Sequence, residues 1–317
     1  MKLQTEIELR PEENQIDYSS KILLLGSCFS ENIGAKFDYY KFQNLQNPFG
    51  VIFNPISIEK LIARAIENNR FSDRDIFQHN GIWKCFEVHS ELSSLDKYEI
   101  LENLNSALQN LQESLLTSSH IIFTFGTSWV SRNTEKDEIV ANCHKLPQKD
   151  FNKELLSIKR ISESLINTAE RISAINPNAI VINTISPVRH IKDGFTENSL
   201  SKAHLISAIN GLKSSLVYRK PYYFPSYEIM MDELRDYRYY SEDLIHPNKT
   251  AIEIIWEKFL KVWIDPETKF IQKEIASIQI GLFHKPFNPE SVEHHKFQEK
   301  LQQKISSIKE QFPHIKF

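Results

Sequence analysis

Along the first 260 residues, short apolar runs alternate with longer stretches of helical period, the arrangement that builds an α/β domain around a parallel sheet. "KILLLG" at 21–26 is apolar almost throughout and predicts a strand buried on both faces. A second strand is expected in "YKFQNL" near 40–45. In "ISIEKLIARAIENN" at 56–69, Ile58, Leu61, Ile62, Ala65 and Ile66 share one helical face, so this helix should lie on the sheet. Residues 71–95 hold Trp83, Cys85, Phe86 and His89 with no steady period and read as an irregular or short-strand excursion. A long amphipathic helix follows over 96–117, then a β-branched and aromatic strand, "IIFTF", that ends at Gly126.

Further on, a helix at about 154–175 precedes the strand "AIVINTIS" at 179–186, which Pro187 stops. A helix at 199–217 and the short "YYFPSY" segment complete the sheet, and "HPNKTAIEIIWEKFLKVWI" closes it as a helix. Pro247 suits that helix's first turn, with Asn248 or His246 at its cap. Beyond Pro266 the chain turns polar and lysine-rich, and "SVEHHKFQEKLQQKISSIKEQF" reads as an exposed amphipathic helix. The expected organisation is an α/β domain over 1–265 and a helical extension over 266–317, without internal repeats.

Composition narrows the class of partner. With 317 residues, 41% hydrophobic and 25% charged, the chain can bury a large core without staples. A formal net charge of -3 gives no global positive field to hold nucleic acid or an anionic membrane surface. Three widely spaced cysteines argue against a disulfide framework and suit a reducing compartment. "MKLQTEIELRPEENQ" lacks an apolar signal core, and no stretch reaches the roughly 18 apolar residues of a membrane span, so a cytoplasmic protein is expected.

An open parallel sheet binds ligands beyond the carboxyl ends of its strands. Residues at those ends are Gly26, Ser27 and Cys28; Asn47 and Gly50; Gly126, Thr127 and Ser128; Ser186, Arg189 and His190; and, before the closing helix, Asp243 and His246. A nucleophile at a strand-to-helix turn meets free N–H groups that stabilise its anion, while a histidine oriented by a carboxylate takes its proton. "RDYRYY" is no nucleic-acid patch, because Asp232, Glu233, Glu242 and Asp243 cancel its charge. Cys85-x-x-x-His89 and Cys143-His144 lack a C-x-x-C partner, and neither a metal nor a cofactor is expected.

"GSCF", "NPFGVIFNP", "FTFGTSWV", "NCHKLP", "TISPVRHIKDG" and "YFPSYEIMMDELRDYRYYSEDLIHPN", spread over residues 21–260, resemble the GSCFA domain family within the SGNH, or GDSL-type, hydrolase superfamily. That resemblance implies a three-layer α/β/α sandwich with a flavodoxin-like parallel sheet. It also implies acyl-ester chemistry through a covalent intermediate, on a carbohydrate or small metabolite. Aligning "GSC" with "GDS" places Cys28 where the superfamily has its nucleophilic serine, with Ser27 as the alternative nucleophile. A thiol at a helix N-terminus beside a histidine is expected to ionise easily. Asp243 and His246 match the superfamily's aspartate and histidine.

The implied oxyanion donors are the N–H groups of Cys28 and Gly50, but the asparagine of the third block is replaced. Ser128 or Asn142 would have to substitute for it. Asn47, Thr127, His144, Lys145, Arg189, His190 and Arg235 are the expected substrate contacts. The missing asparagine leaves two rival readings, an acyltransferase of the same fold and a binding protein that kept the fold without catalysis. The oligomeric state stays open.

Overall fold

The structure, a computed structural model, describes residues 4–212 and 222–317. The first half runs β1 (Lys21–Gly26), α1 (Cys28–Tyr39), β2 (Gln43–Gln46), α2 (Pro55–Ile66), β3 (Ile76–His79), β4 (Ile82–Cys85), α3 (Lys97–Thr117) and β5 (His120–Phe125). It continues with β6 (Trp129–Asn133), β7 (Glu138–Val140), β8 (Phe151–Leu155), α4 (Ile158–Ile175), β9 (Ile180–Ile185), α5 (Phe195–Gly211) and β10 (Tyr222–Phe224). The short α6 (Ser226–Glu228), α7 (Lys249–Trp263), α8 (Lys269–Phe283) and α9 (Val292–Gln311) close the chain.

Among the described residues the central sheet has five parallel strands in the order β10-β9-β5-β1-β2. Strand period 2 sends successive side chains to opposite faces. Leu23, Leu25, Ile121 and Phe123 therefore enter one core with α2, α3, α4 and α5. Ile22, Leu24, Ile122 and Ile182 enter a second core with α1, α7, α8 and α9. Helices thus cover both faces, the three-layer α/β/α arrangement, and this is why β1 and β5 are buried and largely apolar instead of alternating.

The helices begin where capping chemistry allows. Ser27, Asn54, Asp96 and Ser157 each accept a backbone N–H in the first turn of α1, α2, α3 and α4. For α7 the cap is Asn248, which accepts from Ala251 N–H, so Pro247 stands one residue before the cap and not in the first turn. The excursion at 71–95 contains the β3–β4 hairpin. The segment after β5, which carries no strand period, forms an antiparallel sheet in the order β7-β6-β8. Its last strand takes residues 151–155, and Ser157 delays α4 to residue 158. Helix α5 starts four residues before the expected Ser199, at Phe195, and its expected end at 213–217 lies outside the described residues. Helix α8 carries no signal noticed in the sequence, and α9 is only partly exposed, because Leu301, Ile305 and Ile308 are buried in the second core. Among the described residues no helix is long and apolar enough to cross a membrane.

Candidate active site

Strand β1 must approach β5 closely for the first turn to form. A Cβ on Gly26, whose φ is +149°, would lie 2.2 Å from the Thr124 carbonyl oxygen, so only glycine fits there. Ser27 N–H then donates to that same oxygen at 3.0 Å. The Ser27 side chain is buried and accepts from Phe29 N–H, which makes it the cap of α1. Cys28 follows as the first residue of α1, half-buried and unpaired. The two adjacent nucleophiles are thereby separated: the hydroxyl holds the helix and the thiol is presented.

Easy ionisation of Cys28, expected from its place at a helix N-terminus, is corrected here. Burial first, and then the Glu31 carboxylate, push the thiol up from its ordinary value. The N–H groups of Cys28 and Phe29 and the charge of Lys202 pull the other way without prevailing. Among the described residues, no side chain hydrogen-bonds to this thiol.

Lys202 was not foreseen. It lies fully buried on α5, and its Nζ donates to the carbonyls of Gly126 at 2.7 Å and Ser186 at 2.8 Å, at the carboxyl ends of β5 and β9. The Tyr227 ring lies 5.2 Å away. Burial presses its pKa down to about 7, against the pull of Cys28 and Glu228. The neutral amine has two N–H donors for two carbonyls, so the uncharged form leaves no proton unpaired. The signal was available in the sequence: Asn198, Ser201 and Lys202 occupy the same helical face as Leu205, Ala208 and Ile209. Polar groups on a core face need partners.

Ser201 supplies them to the third turn. Its Oγ accepts from Ser128 N–H at 2.8 Å and pairs with Thr127 Oγ1 at 2.8 Å, while Ser128 Oγ donates to the Ser201 carbonyl. The hydroxyl of Ser128 is thus already spent. Gly50 N–H donates to the Asn47 carbonyl at 2.8 Å, and Asn47 Oδ1 accepts from Gly26 N–H. The expected donor Gly50 and the substitute donor Ser128 are thus both engaged in holding the loops.

The Asp243–His246 pair has a different character. Asp243 accepts from the N–H groups of His246 and Ile245 at 3.0 and 2.9 Å and from His246 Nδ1 at 2.6 Å. Those donors, the His246 backbone first, pull the carboxyl down to about 2. With Nδ1–H committed to Asp243, His246 keeps Nε2 as its acceptor. Both side chains are about half exposed. The loop is tied to the end of β9, since Arg189 N–H donates to the Ile245 carbonyl at 3.2 Å.

Between Lys202 and His246 stands His190. Burial, the Lys202 charge and the His246 ring together hold its pKa down to about 3. Its Nε2 is closed off from solvent without a partner, 3.0 Å from where a Gly126 Cβ would be, and its ring lies 5.5 Å from that of Phe53. A neutral imidazole is therefore wedged beside the third turn.

The remaining expected contacts fall into two groups. Arg189, His190 and Arg235 border the Asp243–His246 loop or the groove beside it. Asn142 and His144 lie instead against the β3–β4 hairpin, and Lys145 is exposed next to them in the chain. Asn142 Oδ1 accepts from His144 N–H, the His144 carbonyl accepts from Lys84, and the buried His144 ring contacts the Cys85 carbonyl at 2.6 Å. Asn142 therefore braces a turn, and His144 fills the hairpin's core. Among the described residues no three His, Cys, Asp or Glu side chains gather as a metal site would require.

The profile of the GSCFA family matches residues 21–259, and that of the GSCFA domain protein, C-terminal domain, matches residues 275–317. No curated protein matches the chain at significant similarity. The first match spans three quarters of the sequence, and the chain belongs to the GSCFA family.

Proposed function

We propose that this GSCFA protein is an acyl-ester hydrolase of the SGNH type that works through an acyl-thioester on Cys28. The observation that carries the reading is the Asp243–His246 pair, with Nδ1 held at 2.6 Å and Nε2 left as an acceptor, while Cys28 stands half-exposed at the start of α1. The Cys28 sulfur attacks the acyl carbonyl carbon and its proton passes to His246 Nε2. Collapse of the tetrahedral intermediate expels the alcohol, which takes that proton. Water, deprotonated by the same nitrogen, then hydrolyses the thioester and frees the acid and the thiol. Asp243 holds the imidazole and stabilises its cation. Because the resting thiol is held protonated, substrate binding has to draw His246 and Cys28 together, as catalytic hydrogen bonds commonly tighten only in the complex. The three free cysteines fit a cytoplasmic setting.

A second reading draws on the engaged donors. Gly50 N–H and Ser128 Oγ are both committed within the fold, which favours a protein that binds acyl esters without hydrolysing them, or one that transfers the acyl group slowly to a bound alcohol. Turnover of p-nitrophenyl acetate by wild type, Cys28→Ala and His246→Ala decides among these, with intact-mass detection of an acyl adduct. Activity lost in both variants and an adduct on Cys28 support hydrolysis. Equal rates in all three overturn it.

A further inference from the structure

Next to the catalytic loop lies a groove of about 320 Å³ that none of the steps above uses. Its walls include Arg189, Phe195, Tyr227, Arg235, Tyr237 and Tyr240. Two features distinguish it from an ordinary surface crease. The first is charge left uncompensated. Among the described residues no carboxylate pairs with Arg189 or Arg235. Asp236, which also borders the groove, is already neutralised by Arg238, whose guanidinium lies 3.3 Å away and whose N–H donates at 2.8 Å. Glu228, outside the lining, gives both its oxygens to the Tyr223 hydroxyl. Among the residues that line the groove, two arginines stand against the single carboxylate of Asp236, although the 232–243 segment as a whole is not basic.

The second feature is aromatic surface in the open. Phe195 and Tyr237 are 66% and 63% exposed, well beyond what such rings show when they serve only a core. The Arg189 guanidinium sits 5.5 Å from the Phe195 ring and 5.7 Å from the Tyr240 ring. Stacking of this kind holds the guanidinium plane in place while its edge keeps N–H donors for a planar or tetrahedral anion. Position supplies the link to the chemistry. Arg189 donates from its backbone to the Ile245 carbonyl and from its side chain to the Leu244 carbonyl, the two residues between Asp243 and His246.

We propose that this groove is the acceptor subsite, and that the alcohol part of the ester is a ring bearing a carboxylate or phosphate, its anion held by Arg189 and Arg235 and its ring by Phe195, Tyr237 and Tyr240. That the ligand is part of an ester rests on the hydrolase reading above. The anion site itself does not.

The test is calorimetric binding of D-glucuronate, D-glucose 6-phosphate, D-glucose and inorganic phosphate to the full chain, its Arg235→Gln and Arg189→Gln variants, and His246→Ala. At least one of the two anionic sugars is expected to bind about tenfold or more tightly than glucose, with affinity falling as salt rises. Glucuronate alone identifies a carboxylate, and glucose 6-phosphate alone a phosphate. Arg235→Gln should lose about tenfold in affinity at unchanged melting temperature, because Arg235 is exposed and among the described residues holds no hydrogen bond or ion pair. Glucose binding as well as the anionic sugars, no binding by either, or full affinity in Arg235→Gln overturns the proposal. Inorganic phosphate binding as tightly as glucose 6-phosphate overturns the ring part. If wild type and His246→Ala bind the anionic sugar equally while wild type hydrolyses no acetylated form of it, the groove stands and the hydrolase reading falls.

Discussion

Two parts of the candidate site are built on opposite principles. The crest of the sheet, where Gly26, Ser27, Thr127, Ser128, Ser201 and Lys202 meet, is buried, and nearly every polar atom in it holds another strand end or loop. The loop carrying Asp243 and His246 is about half exposed, and the Asp243 carboxylate takes its hydrogen bonds from Ile245 and His246, within the same four residues. Where polar groups are buried, leaving one unpaired costs stability, so the crest is a structural device as much as a chemical one. Where they are exposed and locally held, they can be exchanged with little effect on folding. Substitution at the crest should therefore read out in stability, and substitution in the loop in activity.

The sharpest break is Gly26→Ala. A Cβ 2.2 Å from a backbone oxygen, at a φ that disfavours side chains, should cost more than about 3 kcal/mol and leave little folded protein, measured by urea unfolding. A folded variant of normal stability would mean that β1 and β5 tolerate separation, and the crest would lose its rigid character.

His246→Ala comes next and should separate the two properties. Ester turnover should fall by about 10² to 10⁴-fold, the usual worth of a positioned base, with stability changed by less than about 0.5 kcal/mol. A variant that loses stability instead would place His246 on the structural side of the comparison.

Lys202→Met tests the crest by pH. The native amine titrates at about 7 against an ordinary 10.5, so between those values the unfolded chain binds more protons than the folded one. Stability should then climb as pH rises through that window, by at most about 1.4 kcal/mol per pH unit, and the slope should vanish in the variant. At pH 7 the variant should be weaker by about 2 kcal/mol, because the Gly126 and Ser186 carbonyls lose their donor.

The smallest effects concern the thiol and the carboxylate. Iodoacetamide should label Cys28 more slowly at pH 7 than a free cysteine, and more slowly still in Lys202→Met, since the ammonium is one of the groups drawing the thiol down. In the loop, Asp243 adds stability that is fully present above its ordinary value of 3.8 and is lost as pH falls toward about 2, a loss that Asp243→Asn should abolish in an acid titration.

How much of this could be read from the chain differs between the same two regions. The Asp243-x-x-His246 spacing is a local property, and three residues suffice to bring a carboxylate to an imidazole, so the pair was legible. The turn after β1 was legible as a strand-to-helix turn for the same reason, but that Ser27 is the cap and Cys28 the first helical residue came only with the structure. Lys202 was not, although its place on the core face of α5 marked it. Its partners, Gly126 and Ser186, lie 76 and 16 residues away and meet it only once β5 and β9 pair. The β7-β6-β8 sheet escaped because its strands are short and half-exposed, so neither an apolar run nor a clean alternation announces them.

By itself, then, the sequence determined the buried strands, the helices, the α/β alternation and the local chemistry of two turns, all of which depend on neighbours within a few residues, while the three-layer sandwich came from the resemblance to a family. Tertiary structure alone decided which donors remain free. Gly50 and Ser128 are consumed, Lys202 is buried with two carbonyls, and the Cys28 thiol is pushed up despite its helix N-terminus. Burial and hydrogen-bond satisfaction are sums over everything packed nearby, and no stretch of chain carries that sum in its own residues.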